Sequence, residues 1–313
     1  QLVLDGRLDN RPDLIEALRP AAQPRAYTDA ELIALAYERW AEAAVPRLLG
    51  DFAFVLWDAR KQLLLAACDQ RGFRPLVYAR FGRRCLFGSE AQQLFAGAAI
   101  PRTPDSLFLA CHLTGANPPP GSTPHATIAE LPAAHYLVLA QGELRIERYW
   151  RFQPGAPLVV RSVPEAQEHF EDAFAKAIAA VTRSRGKAGL LLSGGLDSSF
   201  VALRASETAA LTALHAYAPG SDGMDERGFA RAVARELALP LHEVDASDCH
   251  SLAAAYLPEA MFDQPNLPMQ AALQVKLAQE AASLGCTVLL DGVGGDEMLS
   301  GGPHYLCSLL FEG

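Results

Sequence analysis

No apolar run in this 313-residue chain is long enough to span a membrane, and its start lacks the basic-then-apolar layout of a secretory signal. A cytoplasmic location is the expectation. Cysteine is sparse: Cys68, Cys85, Cys111, Cys249, Cys286 and Cys307 contain no Cys-x-x-Cys pair, and no histidine cluster stands at metal-ligand spacing. That disfavours a disulfide scaffold or a structural zinc site. Reduced core thiols are expected instead, as for Cys286 beside Thr287-Val288-Leu289-Leu290. Cations are in the minority, 27 Lys and Arg against 36 Asp and Glu, and the net charge of -9 argues against a nucleic-acid partner. Also missing is any Gly-x-x-x-x-Gly-Lys-Ser/Thr, which excludes the usual γ-phosphate cradle.

Half the residues are hydrophobic and a fifth are charged, a globular composition, and the length suits two domains. The first half reads as strands and turns with a helix or two. Asp51 to Asp58 and Leu63 to Ala67, joined by Ala59-Arg60-Lys61-Gln62, give a hairpin, and Leu76 to Ala79 with Cys85 to Phe87 give another. Tyr136 to Arg148 reads as a further strand pair, Gly115 to Pro124 as an exposed loop, and Phe152 to Pro157 as the linker. Beyond it the period changes. Helices at Glu165 to Thr182, Ser198 to Ala205, Asp225 to Leu237 and Gln270 to Leu284 alternate with strands at Gly189 to Leu192, Leu211 to Tyr217, Leu241 to Val244 and Thr287 to Leu290. Such alternation predicts a parallel sheet covered on both faces, with ligands beyond the carboxyl ends of its strands.

Two of those strand ends carry chemistry. Leu190-Leu191-Leu192 stops at Ser193-Gly194-Gly195-Leu196-Asp197-Ser198-Ser199, a loop of backbone donors leading into a helix N-terminus. With Asp197 inside it, an anion would need a bridging divalent cation. Val288-Leu289-Leu290 ends in Asp291-Gly292-Val293-Gly294-Gly295-Asp296-Glu297, where glycines allow close approach of a nucleotide and a carboxylate can share one Mg²⁺. Either loop alone could be a solvated Gly-rich turn; together, at matching strand ends, they point to phosphate chemistry. Adenine is expected against Leu211 to Tyr217 and the backbone around Leu192 and Pro219. His215, within that strand, reads as a packed or hydrogen-bonded core histidine.

The Ser193–Ser199 stretch resembles the pyrophosphate loop (PP-loop) of ATP pyrophosphatases. With Asp225-Glu226, Asp263-Gln264-Pro265 and Gly292 to Glu297, the second half resembles the asparagine synthetase and β-lactam synthetase superfamily. In the first half Asp5-Gly6-Arg7-Leu8-Asp9-Asn10, Thr28-Asp29-Ala30-Glu31, Gly50 to Phe54, Asp69 with Gly72 to Leu76, and Phe87-Gly88-Ser89-Glu90 resemble that family's glutaminase domain. The resemblance implies an α/β chain in two parts. Residues 1–157 would be a degenerate N-terminal-nucleophile, glutaminase-like α+β domain of αββα type. Residues 158–313 would be a doubly wound, adenine nucleotide α hydrolase-like PP-loop domain. Both are expected to be incomplete, the first at its front and the second at its end, where the family's Lys against the acyl-adenylate would lie. The implied cofactors are ATP, on Leu192, Ser193, Gly194, Gly195, Leu196, Asp197, Ser198, Ser199, Pro219, Asp291 and Gly292, and Mg²⁺, on Asp197 and Asp296.

Departures from the pattern shape the expected function. Asp5-Gly6-Arg7 stands where the family has Asn-Gly-Glu, which puts a cation where a glutamine ammonium should sit and makes an inactive glutaminase the expectation. Without released ammonia, the substrate must bring its own amine. Val293 replaces an acid or a Tyr, and Asp291 replaces a Ser or Thr. Asp5 to Arg11, and the run Ser300 to Leu306, most resemble the lasso peptide cyclases. That branch adenylates an Asp or Glu side chain of a precursor peptide and closes a macrolactam with the peptide's N-terminal amine. It implies a leader-binding protein and a leader peptidase as partners, with no nucleic acid or membrane. The alternatives are a glutamine-dependent asparagine synthetase, a non-catalytic scaffold that keeps the fold, and a tRNA-modifying PP-loop enzyme, the last opposed by the acidic charge.

Overall fold

The computed structural model describes residues 1–18, 27–81, 84–153, 155, 159–183, 186–220, 225–249 and 271–295. The chain divides into two compact units, the first spanning residues 1–157 and the second beginning at Leu158.

The first unit follows from alternation. β1 (Leu2–Leu8) is followed by α1 (Arg11–Leu18), α2 (Asp29–Trp40) and a 3-10 helix (Ala41–Arg47), then by β2 (Gly50–Asp58) and β3 (Leu63–Cys68). Next come β4 (Val77–Phe81), β5 (Arg84–Gly88), α3 (Ala91–Gly97), α4 (Ser106–Thr114), β6 (Ala129–Glu130), β7 (His135–Ala140) and β8 (Glu143–Arg148). β1-β2-β3-β7-β8 form one antiparallel sheet and β5-β4-β6 another. Inward residues of the large sheet (Phe52, Phe54, Leu56, Leu65, Val138) bury one face with Leu14, Leu32, Ile33 and Ala36 of α1 and α2. Its other face packs Ala53, Ala66 and Leu137 with Leu76, Leu131 and Tyr78. Val77 and Ala79 then meet Ala91 and Leu94 of α3. The layers therefore run helix, sheet, sheet, helix, as expected.

Among the described residues of this unit there are four α-helices, rather than one or two. Thr28 and Glu31 form a reciprocal capping box at the start of α2, and Asp105 caps α4 by accepting from the Phe108 amide at 2.8 Å. On β2, Trp57 is 37 % exposed, while Phe52, Phe54 and Leu56 are buried.

The second unit alternates as the sequence predicts: α5 (Val163–Thr182), β9 (Lys187–Leu191), α6 (Leu196–Ser206), β10 (Leu211–Tyr217), α7 (Arg227–Glu236), β11 (Leu241–Asp245), α8 (Ala271–Ser283) and β12 (Cys286–Leu290). The strands are parallel in the order β11-β10-β9-β12. Ile178, Ala202, Ala205, Ala230 and Ala234 cover one face, and Leu277 and Ala281 of α8 cover the other. From β9 the order runs out through β10 to β11 on one side and jumps to β12 on the other. The gap between β9 and β12 is thus the topological switch point, where such sheets open a crevice for ligands. Five described cysteines are free, but only Cys68 is buried; the others, Cys286 included, are partly exposed, so the expected core thiols reduce to one. Burial lifts the Cys68 thiol to about 12. Among the described residues no helix is long and apolar enough to cross a membrane.

Candidate nucleotide site

Ser193–Ser199 and the loop after β12 leave adjacent strands at that switch point. The first loop is tied by its own hydroxyls. Ser198, 6 % exposed, has its Oγ 2.9 Å from Ser193 Oγ and accepts from the Ser193 amide at 3.3 Å, while Ser193 Oγ accepts from the Gly195 amide at 3.2 Å. Two of the expected anion donors are therefore used inside the loop. The first-turn amides of α6 (Leu196, Asp197, Ser198) have no intrahelical acceptor, the feature that makes a helix N-terminus suited to an anion. The Ser199 hydroxyl is buried without a hydrogen-bond partner.

Glycines let two segments close on this loop. Gly194 holds φ +87°, and a Cβ there would lie 2.5 Å from Phe229 Cβ and 2.6 Å from the Ala230 nitrogen. The first turn of α7 therefore rests on the loop. A Cβ on Gly292 would stand 2.8 Å from the Ser198 nitrogen, and one on Gly295 would stand 2.5 Å from Asp197 Oδ2. The second loop thus lies across the N-terminus of α6, with Asp197 beneath it. Asp291 Oδ1 accepts from the Val293 amide at 3.2 Å. Asp296, like Asp263-Gln264-Pro265, lies outside the described residues. A glycine-walled cradle at a helix N-terminus, with a carboxylate that could hold a cation, suits a polyphosphate with a divalent cation.

On the adenine side, His215 is 6 % exposed and its Nδ1 lies 2.7 Å from the Leu192 carbonyl oxygen, the hydrogen-bonded core role expected of it. The Leu192 amide donates to Leu214 O at 2.9 Å, so this residue's backbone is largely committed within the protein. Pro219 follows β10 in an exposed turn. Sequence reasoning missed a polar set under α7. Arg231 pairs with Glu243 through two contacts, 2.6 and 2.8 Å, and Arg227 forks onto Asp225 while lying 4.4 Å from the Tyr217 ring. Asp225 is held down to about 2 by the guanidinium of Arg227, and Arg231 lowers Glu243. The signal lay in two Arg residues one helical turn apart, after an acid.

On α7, Phe229 is 67 % exposed, whereas Val233 and Leu237 pack against the core under the sheet with the buried Ala230 and Ala234.

In the first unit, the expected glutamine pocket carries its own cation. Arg7 Nη1 is 2.8 Å from Asp51 Oδ2 and Arg7 Nε is 3.0 Å from Asp9 Oδ1, with Arg71 also on Asp51 at 3.3 Å. Arg7 is thus not a bare charge that repels a ligand, as expected from the sequence, but a neutralised one seated between acids. Asp69 anchors the neighbouring loop: 1 % exposed, its carboxylate accepts from the amides of Phe52, Arg71, Phe73 and Arg74 at 2.9–3.3 Å.

These features define a class: a glutaminase-like sandwich joined to a doubly wound nucleotide-binding unit with a PP-loop at its switch point. Residues 1–150 match the glutamine amidotransferase domain family and residues 169–312 match the asparagine synthase family. Together the two matches span most of the chain, which is thus similar to glutamine amidotransferase domains over its first part and to asparagine synthases over its second. It is 32 % identical over 203 residues to asparagine synthetase [glutamine-hydrolyzing] 3 of Bacillus subtilis, covering 64 % of this chain and 33 % of that protein. Asparagine synthetase [glutamine-hydrolyzing] 1 of the same organism is 28 % identical over 97 % of this chain and 48 % of its own length. Asparagine synthetase [glutamine-hydrolyzing] 3 of Arabidopsis thaliana is 29 % identical, covering 97 % and 49 %. The chain thus spans a third to about half the length of these relatives. Among solved structures, a glutamine phosphoribosylpyrophosphate amidotransferase of B. subtilis aligns over 77 % of this chain and 45 % of its own, at 15 % identity and a TM-score of 0.32, a likeness on which nothing below rests.

Proposed function

We propose that this chain carries the nucleotide site of an ATP-dependent, AMP-forming amide ligase. The observation behind this reading is the closure of Gly292 and Gly295 onto Asp197 and the N-terminus of α6, at the sheet's switch point. A substrate carboxylate oxygen attacks the α-phosphorus of ATP, the α–β bridge breaks, and pyrophosphate leaves; an amine then displaces AMP from the acyl-adenylate and loses a proton. The amides of α6 would hold the leaving pyrophosphate, and the Ser193–Ser198 knot fixes their direction. Asp197 would hold Mg²⁺, with Asp296 as the expected second acid; when bound, the cation neutralises charge on the leaving group.

Two nitrogen sources fit this chemistry. The relatives' names favour amidation of aspartate with nitrogen from glutamine. The presence of Arg7 where the family has a Glu to meet a glutamine ammonium favours an amine carried by the substrate, as in macrolactam closure on an Asp or Glu side chain of a peptide. On that second reading the partners are a precursor peptide, a leader-binding protein and a leader peptidase.

Pyrophosphate release by the full-length Asp197→Asn protein tests the ligase reading. A fall of ~10²-fold or more is expected, by analogy with other electrostatic catalytic groups; a near-normal rate would sink it. Glutamate release from glutamine, coupled to ATP use, would select asparagine synthesis.

A further inference from the structure

α7 comes down on the PP-loop with little apolar grip of its own. Of its ten residues only Ala230 and Ala234 are buried, and Val233 adds a partly buried contact farther along. Two methyl groups bury little area, yet the first turn sits closely enough for Phe229 Cβ and the Ala230 nitrogen to meet Gly194. The residue after Ala230 supplies a firmer hold. Arg231 forks onto Glu243, Nε to Oε1 at 2.6 Å and Nη2 to Oε2 at 2.8 Å, and two bonds between planar groups fix direction as well as distance. Glu243 stands at the middle of β11, in register with His215 of β10, whose ring holds the Leu192 carbonyl just ahead of the loop. Both supports of the loop, one through α7 and one through His215, thus start from a single cross-strand position.

From this we infer that Glu243, acting through Arg231, is a positioning residue of the PP-loop. The fork seats the first turn of α7 on Gly194 and keeps the loop in the shape that receives pyrophosphate, without either side chain touching nucleotide or cation. The inference rests on the ligase reading and adds to it a support that lies outside both Gly-rich loops. The Arg231 and Glu243 side chains are 51 % and 25 % exposed, so their coupling falls in the range of solvent-screened pairs, up to about fivefold in an equilibrium constant. Lys176 and Asp172 make the natural comparison: an exposed ion pair at 2.6 Å, but one confined to α5 and joining no second element.

Titration of the full-length protein with magnesium pyrophosphate and, separately, with AMP tests this. Arg231→Ala and Glu243→Ala should each weaken pyrophosphate binding by about three- to fivefold and leave AMP binding unchanged. The double variant should bind no more weakly than either single one, because the two side chains act as a unit. Glu243→Gln, which keeps one acceptor for Arg231, should recover part of the loss, and Asp172→Ala should alter neither ligand. A merely structural pair would weaken both ligands together, or lower the thermal midpoint with binding intact. Either result, or additive losses in the double variant, would overturn the positioning role and leave the ligase reading standing. A wild-type protein that binds neither pyrophosphate nor ATP would overturn both.

Discussion

Replacing Gly194 by Ala should disable the nucleotide site more than it unfolds the protein. Gly194 sits at φ +87°, which costs an L-residue about 1–2 kcal/mol. The added methyl would also lie 2.5 Å from Phe229 Cβ and 2.6 Å from the Phe229 carbonyl carbon and the Ala230 nitrogen. Those neighbours belong to a helix, and a clash of this kind typically costs about 1–3 kcal/mol. Together the two effects reach roughly 2–5 kcal/mol. Relief comes from moving either α7 or the loop, and a loop displaced by ~1 Å loses about 10²-fold in rate. Gly220→Ala is the internal control: φ is +81° there, but nothing lies within 4 Å, so only the backbone cost applies. Thermal unfolding and ATP–pyrophosphate exchange on both full-length variants separate the effects. If Gly194→Ala matches Gly220→Ala in both assays, the α7 contact does not hold the loop and the reasoning fails.

His215→Gln should leave a folded protein that still binds ATP, measured by nucleotide titration, since Gln can donate to Leu192 O in place of the ring. A folded variant that has lost ATP binding would give His215 a direct role. Asp69→Ala strands four backbone donors in a site that is 1 % exposed and should destabilise the first unit by about 3–5 kcal/mol, read as a lower denaturation midpoint. With its thiol at about 12, Cys68 at pH 8 is a thiolate in only about one molecule in 10⁴. Native protein should therefore resist iodoacetamide at Cys68, and mass spectrometry should find that site alkylated only after denaturant. Asp225 is ordinarily near 3.9 and is held at about 2 in the fold, so its pairing with Arg227 is complete above the ordinary value and is lost as pH falls toward 2. Asp225→Asn should flatten that part of an acid unfolding curve.

The second unit was legible because its signals are local. Buried strands, amphipathic helices and Gly-rich strand ends lie in consecutive residues, and each observed element falls within two or three residues of its expected bounds. In the first unit α2 and α4 carried visible caps, Thr28 with Glu31 and Asp105 with Gly115, but α4 has almost no polar residues to mark an outer face. The order β1-β2-β3-β7-β8 joins segments about 70 residues apart, which no local pattern encodes. Nor could spacing show that Arg7 finds Asp51 across a strand pair, since that follows from register.

The contact between His215 and Leu192 fixes the position of a proton. A carbonyl oxygen can only accept, so Nδ1 must carry the hydrogen, and in the neutral ring Nε2 holds the lone pair. The cross-strand partner of His215 is Glu243, whose carboxylate is already committed to Arg231. The one ring donor of His215 is spent on the residue that joins β9 to the PP-loop, so this side chain pins β10 to the root of the loop and, as a neutral ring, keeps no N–H for a ligand.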